Sequence, residues 1–66
     1  MEFKEKLIYV RAILNLTQTE LANELNVSFT TVNRWETGKI KPSKKAEKTF
    51  EIFCKKNCID LKDIDK

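Results

Sequence analysis

The chain has 66 residues, a length that folds as one small domain around a single core and excludes an enclosed active site. It contains no histidine and one glycine, which excludes general-base catalysis by histidine and a glycine-rich phosphate loop. The net charge of +3 does not identify a partner by itself, but the charge is unevenly distributed, because residues 35–56 carry seven lysines and three glutamates.

The apolar pattern predicts one all-α domain over residues 1–66, with four short helices and a short fifth, because no stretch sustains the alternation typical of a strand. The first helix is expected from about Glu2 to Leu14. Phe3, Leu7 and Val10 recur there at helical spacing, while charged residues occupy the other faces. This pattern is typical of a helix that packs one side against a core.

A second helix is expected over Gln18–Leu25. Thr17 followed by Glu20 three residues later is a capping-box pattern, and an apolar stripe begins directly after it. Asn26 is suited to the left-handed backbone conformation that ends a helix. The chain is therefore expected to turn within three residues before the next helix begins.

A third helix is expected over Phe29–Glu36, with Ser28 as its N-cap and the permissive backbone of Gly38 after its last turn. On a helical wheel Val32 and Trp35 point to one side, which predicts that they face the core. Two short helices joined by a tight turn, here at about residues 17–36, form the pattern of a DNA-binding helix-turn-helix. In that motif the second helix enters the major groove.

The opposite face of the third helix carries small hydroxyls, one amide and one arginine. These side chains are Thr30, Asn33, Arg34 and Thr37. Arginine can bind the O6 and N7 atoms of guanine, asparagine can pair with adenine, and threonine offers a hydroxyl or methyl contact. We therefore predict that Thr30, Asn33 and Arg34 contact bases, with an ordinary solvated face as the alternative.

A fourth helix is expected after Ser43, which is a suitable N-cap. Its inner face carries apolar residues at spacings of four, three and one, namely Ala46, Phe50, Phe53 and Cys54. The segment Ile59–Ile64 suggests a short fifth helix with Asp60 as its cap. The domain would then end in a short helix that closes the bundle.

The two cysteines, Cys54 and Cys58, lie four residues apart in a chain without histidine. A four-ligand structural zinc site cannot be completed within one molecule, so no metal or cofactor is expected, and two free thiols fit a reducing compartment. The N-terminus lacks the apolar stretch of a signal peptide, and no segment approaches the ~20 apolar residues of a membrane span. We therefore expect a soluble cytoplasmic protein without enzymatic activity.

Residues 16–43 read LTQTELANELNVSFTTVNRWETGKIKPS. This segment resembles the Cro and phage-repressor family, also called the xenobiotic-response-element (XRE) family, of bacterial and phage transcription regulators. The matching positions are Gln18, Leu21–Ala22, Val27–Ser28, Val32, Trp35–Glu36, Gly38 and Pro42–Ser43. The resemblance continues into the first helix through Leu7, Val10 and Arg11, and into the IDLKDI ending. It implies a lambda-repressor-like fold and sequence-specific binding to double-stranded DNA.

The resemblance also implies further DNA contacts. Gln18, at the start of the second helix, is expected to contact a phosphate. Phe29 opens the third helix, where the family often contacts bases, and both contact with a thymine methyl and packing against the second helix remain open. Hydroxyl and lysine side chains that follow the third helix are expected to reach the flanking backbone. They are Thr37, Lys39, Lys41, Ser43 and Lys44.

In similar proteins the residues equivalent to Arg11 and Glu36 form a structural ion pair beneath the recognition helix. Members usually bind two-fold operators as dimers, so a homodimer is expected at least on DNA, with Ile59–Ile64 as its candidate interface.

Two alternatives remain, namely the DNA-reading module of a restriction-modification or toxin–antitoxin system, and a protein-interaction adaptor. An adaptor would use apolar residues away from the third helix, such as Ile8, Tyr9 and Ile52.

Overall fold

The computed structural model describes residues 2–60 and 62. Within these residues the chain forms four helices and no strand. The helices are α1 (Phe3–Leu14), α2 (Gln18–Leu25), α3 (Phe29–Thr37) and α4 (Lys44–Lys56). The prediction of an all-α fold is confirmed, and α2 has the bounds that its capping pattern predicted.

The residue directly before each helix accepts hydrogen bonds from free backbone N–H groups of the first turn. Thr17, Ser28 and Ser43 accept a hydrogen bond from the N–H three residues later, at 3.0, 3.1 and 3.1 Å. α1 begins at Phe3, one residue after the approximate start that was predicted at Glu2. Glu2 has an extended backbone and forms a capping box with Glu5, so that it precedes the helix rather than opening it.

Each helix ends in a turn that contains a left-handed residue. Asn15, Asn26, Gly38 and Cys58 have φ values of 56°, 58°, 78° and 60°. The prediction for Asn26 is confirmed. The predicted end of α3 at Glu36 was wrong by one residue, because Thr37 remains helical before the backbone reverses its twist at Gly38.

The core contains side chains from all four helices, which meet at the centre of the domain. Among the described residues, the buried apolar side chains are Leu7, Val10, Leu21, Ala22, Leu25, Val32, Trp35, Phe50, Phe53 and Cys54. The ring of Phe3 lies edge-on to Trp35 and Phe50, with centroid distances of 5.5 and 5.3 Å. This aromatic cluster joins α1, α3 and α4, and therefore fixes the rotation of α3 about its axis.

The predicted fifth helix, Ile59–Ile64, lies mostly outside the described residues. At its start the Lys62 backbone N–H donates to Oδ1 of Asp60 at 2.9 Å. Across residues 2–60 and 62, none of the helices has the length and apolar character that crossing a bilayer requires.

Candidate nucleic-acid interface

The helix α3 is held from behind by α1 and α2, against which it packs. Val32 is fully buried and Trp35 is 6% exposed, as the helical wheel predicted. The tight turn before α3 is short because Asn26 reverses the backbone and the Val27 N–H donates to the Ala22 carbonyl at 2.9 Å. The opposite face of α3 therefore projects from a rigid support.

The predicted base-contacting residues do not share one environment. Thr30 and Arg34 are exposed, and among the described residues the Arg34 guanidinium has no hydrogen bond or ion pair. Phe29 is 49% exposed and lies outside the apolar core. Asn33 is half-buried, and its side-chain amide donates to Gln18 at the start of α2.

Behind this face, Arg11 of α1 and Glu36 of α3 form a two-pronged ion pair. Nε and Nη2 of Arg11 donate to Oε2 and Oε1 of Glu36 at 2.7 and 2.8 Å. The side chains of Arg11 and Glu36 are 24% and 5% exposed, and the hydrogen bond to Glu36 raises the pKa of the Arg11 guanidinium. Nη1 of Arg11 donates to the Leu16 carbonyl at 3.2 Å, so one arginine joins α1, the loop before α2, and α3.

Gln18 links this ion pair to the outer face of α3. Its Nε2 donates to Oε1 of Glu36 at 3.0 Å, and its Oε1 accepts from Nδ2 of Asn33 at 3.3 Å. Sequence reasoning placed Gln18 beside the DNA backbone and did not foresee either contact. Both depend on how α2 and α3 pack together, which helical periodicity does not describe.

The residues predicted to contact phosphates lie at the two ends of the helix pair. Lys39, Lys41 and Lys44 are exposed, in the loop after α3 and in the first turn of α4. The Ser43 hydroxyl accepts from the Ala46 N–H and keeps its own proton for another acceptor. The Thr37 hydroxyl already donates to the Arg34 carbonyl at 3.2 Å, so it would have to leave this carbonyl to reach a phosphate.

Sequence reasoning missed one basic side chain near this surface. Lys4 of α1 lines a shallow groove with Gly38, Ile40 and Lys41. It lies against the C-terminal end of α3, and its Nζ is 3.7 Å from Oε2 of Glu2. Lys4 lies 34 residues before Gly38 in the sequence, so no local pattern predicts that the two are close. Only the packing of α1 on α3 brings them together.

Comparison with known proteins agrees with this architecture. The helix-turn-helix family profile matches residues 7–46, which include α2, the turn and α3. The HTH-type transcriptional activator BcrR of Enterococcus faecalis is 45% identical over 53 residues, which are 80% of this chain and 26% of that protein. An uncharacterized HTH-type transcriptional regulator, MJ0272 of Methanocaldococcus jannaschii, is 52% identical over 42 residues, or 64% of each chain.

The chain thus spans about a quarter of the first relative and just under two-thirds of the second. No solved structure matches it. The family profile covers more than half of the chain, and the four helices agree with the lambda-repressor-like fold that the sequence resemblance implied. The chain therefore belongs to the Cro/C1-type (XRE) helix-turn-helix family.

Proposed function

We propose that this chain binds double-stranded DNA in a sequence-specific manner and regulates transcription, with α3 in the major groove and α2 crossing the backbone. The observation that carries this proposal is the exposed polar face of α3, mounted on a core that fixes its orientation. An α-helix fits the major groove, where every base pair presents a distinct set of donors, acceptors and methyl groups.

The polar groups at the start and middle of α3 match base edges chemically. The guanidinium of Arg34 has no partner among the described residues, which suits two hydrogen bonds to O6 and N7 of guanine. Thr30 offers a hydroxyl and a methyl group, and Asn33 offers an amide. Exposure of Phe29 supports contact with a thymine methyl over packing against α2.

The proposed phosphate contacts surround these base contacts. Lysines neutralise backbone charge, while hydroxyl and amide donors fix the register of the protein on the duplex. The proposed set is Gln18, Thr37, Lys39, Lys41, Ser43 and Lys44. We add Lys4 to it, because Lys4 lines a groove with Lys41 beside the C-terminal end of α3. The charge excess of residues 35–56 supports this arrangement in part, because Lys39, Lys41 and Lys44 lie in the loop after α3 and at the start of α4.

The role in transcription is supported by the two relatives, of which one is named a transcriptional activator and the other a transcriptional regulator. We propose that two copies bind a two-fold operator, with half-sites about 34–36 Å apart on one face of the duplex. The proposed contact between copies lies at Ile59–Ile64, mostly outside the described residues.

Selection of bound fragments from random duplex DNA tests the proposal directly. We expect enrichment of one motif in two inverted copies at a fixed spacing. Enrichment of a single copy would contradict binding as a dimer and would still support sequence-specific binding. Retention of DNA without any enriched sequence would reject base reading by α3.

Replacement of Arg34 by alanine tests the role of α3 on the selected duplex. We expect a loss of about 1–3 kcal/mol in binding free energy on that duplex and a smaller loss on unrelated DNA. The matched control is Lys55→Ala, which removes one exposed positive charge near the end of α4. Equal losses on both duplexes would mean that Arg34 contacts the DNA backbone rather than a base.

A protein-interaction adaptor is the second candidate, and one observation favours it. Ile8, Tyr9 and Ile13 of α1 are 47%, 45% and 51% exposed, and Ile52 of α4 is 46% exposed. Replacement of Thr30, Asn33 and Arg34 together separates the two functions. A DNA-binding regulator loses its function in this variant, whereas an adaptor retains its partner.

A further inference from the structure

The hydrogen-bonded chain behind α3 constrains which base Asn33 can bind. We infer that Arg11, Glu36 and Gln18 act as positioning residues that hold the Asn33 amide in one orientation and make it selective for adenine over guanine. This inference rests on the proposed function, since it assumes that Asn33 meets a base edge. It assigns a role in specificity to three side chains behind the outer face of α3.

The orientation follows from the chemistry of the four groups. The Glu36 carboxylate can only accept hydrogen bonds, and it already accepts two from Arg11. Gln18 must therefore turn its NH2 group toward Glu36, at 3.0 Å. The Gln18 oxygen then faces Asn33, which must present its own NH2 group, at 3.3 Å. A fixed charge at one end thus determines the direction of both amides.

The remaining hydrogen-bonding capacity of Asn33 matches adenine. An amide has two N–H donors and one acceptor oxygen, and one N–H of Asn33 is already used by Gln18. One donor and one acceptor remain, which is the complement of adenine N7 and the adenine amino group. Guanine offers two acceptors, O6 and N7, and would need both N–H groups. An amide free of Gln18 could supply both.

Gln18 also has one N–H group left with which it can bind the DNA backbone. Its second N–H is not used by Glu36 and can donate to a phosphate. A phosphate contact at Gln18 and base reading at Asn33 would therefore share one rigid unit. This unit is anchored in α1 through Arg11, whose Nη1 is held by the Leu16 carbonyl.

The test compares the intact chain with Gln18→Met, Asn33→Ala and the double variant. The probes are the duplex selected by the parent and the same duplex with G·C in place of A·T at the position whose preference Asn33→Ala abolishes. For the parent we expect at least tenfold tighter binding to the A·T duplex. For Gln18→Met we expect that ratio to fall below about threefold, and the double variant should discriminate no better than Asn33→Ala.

Thr19→Ala is the matched control, because Thr19 is the next residue of α2 and is exposed. It should leave the A·T to G·C ratio unchanged. A Gln18→Met variant that binds both duplexes more weakly by the same factor, with the parent ratio intact, would overturn the inference and leave the proposed function standing. A parent without sequence preference would overturn the proposed function and the inference with it.

A measurement on the free protein tests the network separately from DNA. In NMR spectra we expect one Nδ2 proton of Asn33 to be shifted by its bond to Gln18, and to return toward its free position in Gln18→Met. An Asn33 side-chain resonance that is identical in the two proteins would overturn the inference. Loss of stability alone would not produce this local change, because the spectrum reports the folded molecules.

Discussion

At the scale of single residues, charged side chains behind α3 and on its outer face differ in whether they have hydrogen-bond partners within the protein. Glu36 is occupied by Arg11 and Gln18, whereas Arg34 has no partner among the described residues. The helical wheel predicted the buried positions of Val32 and Trp35, because burial follows helical period. It could not predict that Gln18 meets Asn33, because that contact depends on side-chain rotamers and on packing between helices.

Removal of the Glu36 carboxylate should destabilise the fold. We expect Glu36→Ala to lower the free energy of unfolding by about 2–3 kcal/mol, because a partly buried guanidinium and the Gln18 amide lose their acceptor. Thermal or urea unfolding measures this change. Glu24→Ala, an exposed glutamate of α2, should stay within about 0.5 kcal/mol of the parent. Equal stability of the two variants would contradict a structural role for the ion pair.

The two thiols should react at very different rates. Cys54 is 1% exposed, and burial raises the pKa of its thiol to about 11, whereas Cys58 is exposed. Because the thiolate is the reactive form, a disulfide reagent at pH 8 should modify one thiol in each folded chain and both in denaturant. The Cys58→Ser variant should show no rapid reaction. Two rapid reactions in the folded parent would mean that α4 opens readily.

At the scale of elements, the helix bounds are encoded locally and were largely predictable. Thr17, Ser28 and Ser43 act as N-caps within three residues of the groups they satisfy, and Asn26 and Gly38 end the helices that precede them. The end of α3 was predicted one residue too early, and α1 begins one residue after its approximate predicted start. The groove that contains Lys4 was not predictable in this way, because it requires α1 and the loop after α3 to meet.

The end of α3 offers a test of backbone strain. A Cβ added at Gly38 would lie 3.6 Å from Cδ and Nζ of Lys4, which is ordinary contact. The cost of Gly38→Ala is therefore conformational, since φ is +78°, and we expect about 1 kcal/mol of destabilisation in urea unfolding. The reverse change Asn26→Gly, at φ 58°, should not destabilise. A stable Gly38→Ala protein would show that the turn can adopt another conformation.

At the scale of the whole molecule, charge and shape act together. The excess of lysine in residues 35–56 was visible in the sequence. The groove that Lys41 of this segment forms with Lys4 and Gly38 was not visible there, because it requires the loop after α3 to return toward α1. The fold was thus predictable as a set of helices and as a family resemblance. For the surface that the helices form together, the sequence predicted only which residues lie close to one another along the chain.

Salt dependence measures how many phosphates this surface neutralises. Log affinity for the selected duplex should fall linearly with log salt, and Lys44→Gln should reduce the slope by about 0.9, because one phosphate contact is lost. Lys56→Gln removes the same charge at the far end of α4 and should leave the slope unchanged. Equal slopes for Lys44→Gln and the parent would place the start of α4 away from the backbone.

The bridge made by Gln18 also bears on protein engineering. Exchange of α3 alone between helix-turn-helix scaffolds would carry Thr30, Asn33 and Arg34, but would leave behind the glutamine and the arginine that we infer to orient the asparagine. A transplanted helix would then recognise a looser set of operators than its donor. If Asn33 reads a base as we infer, the unit to transplant is a four-residue cluster drawn from three helices, and it would have to be moved as one piece to retain that preference.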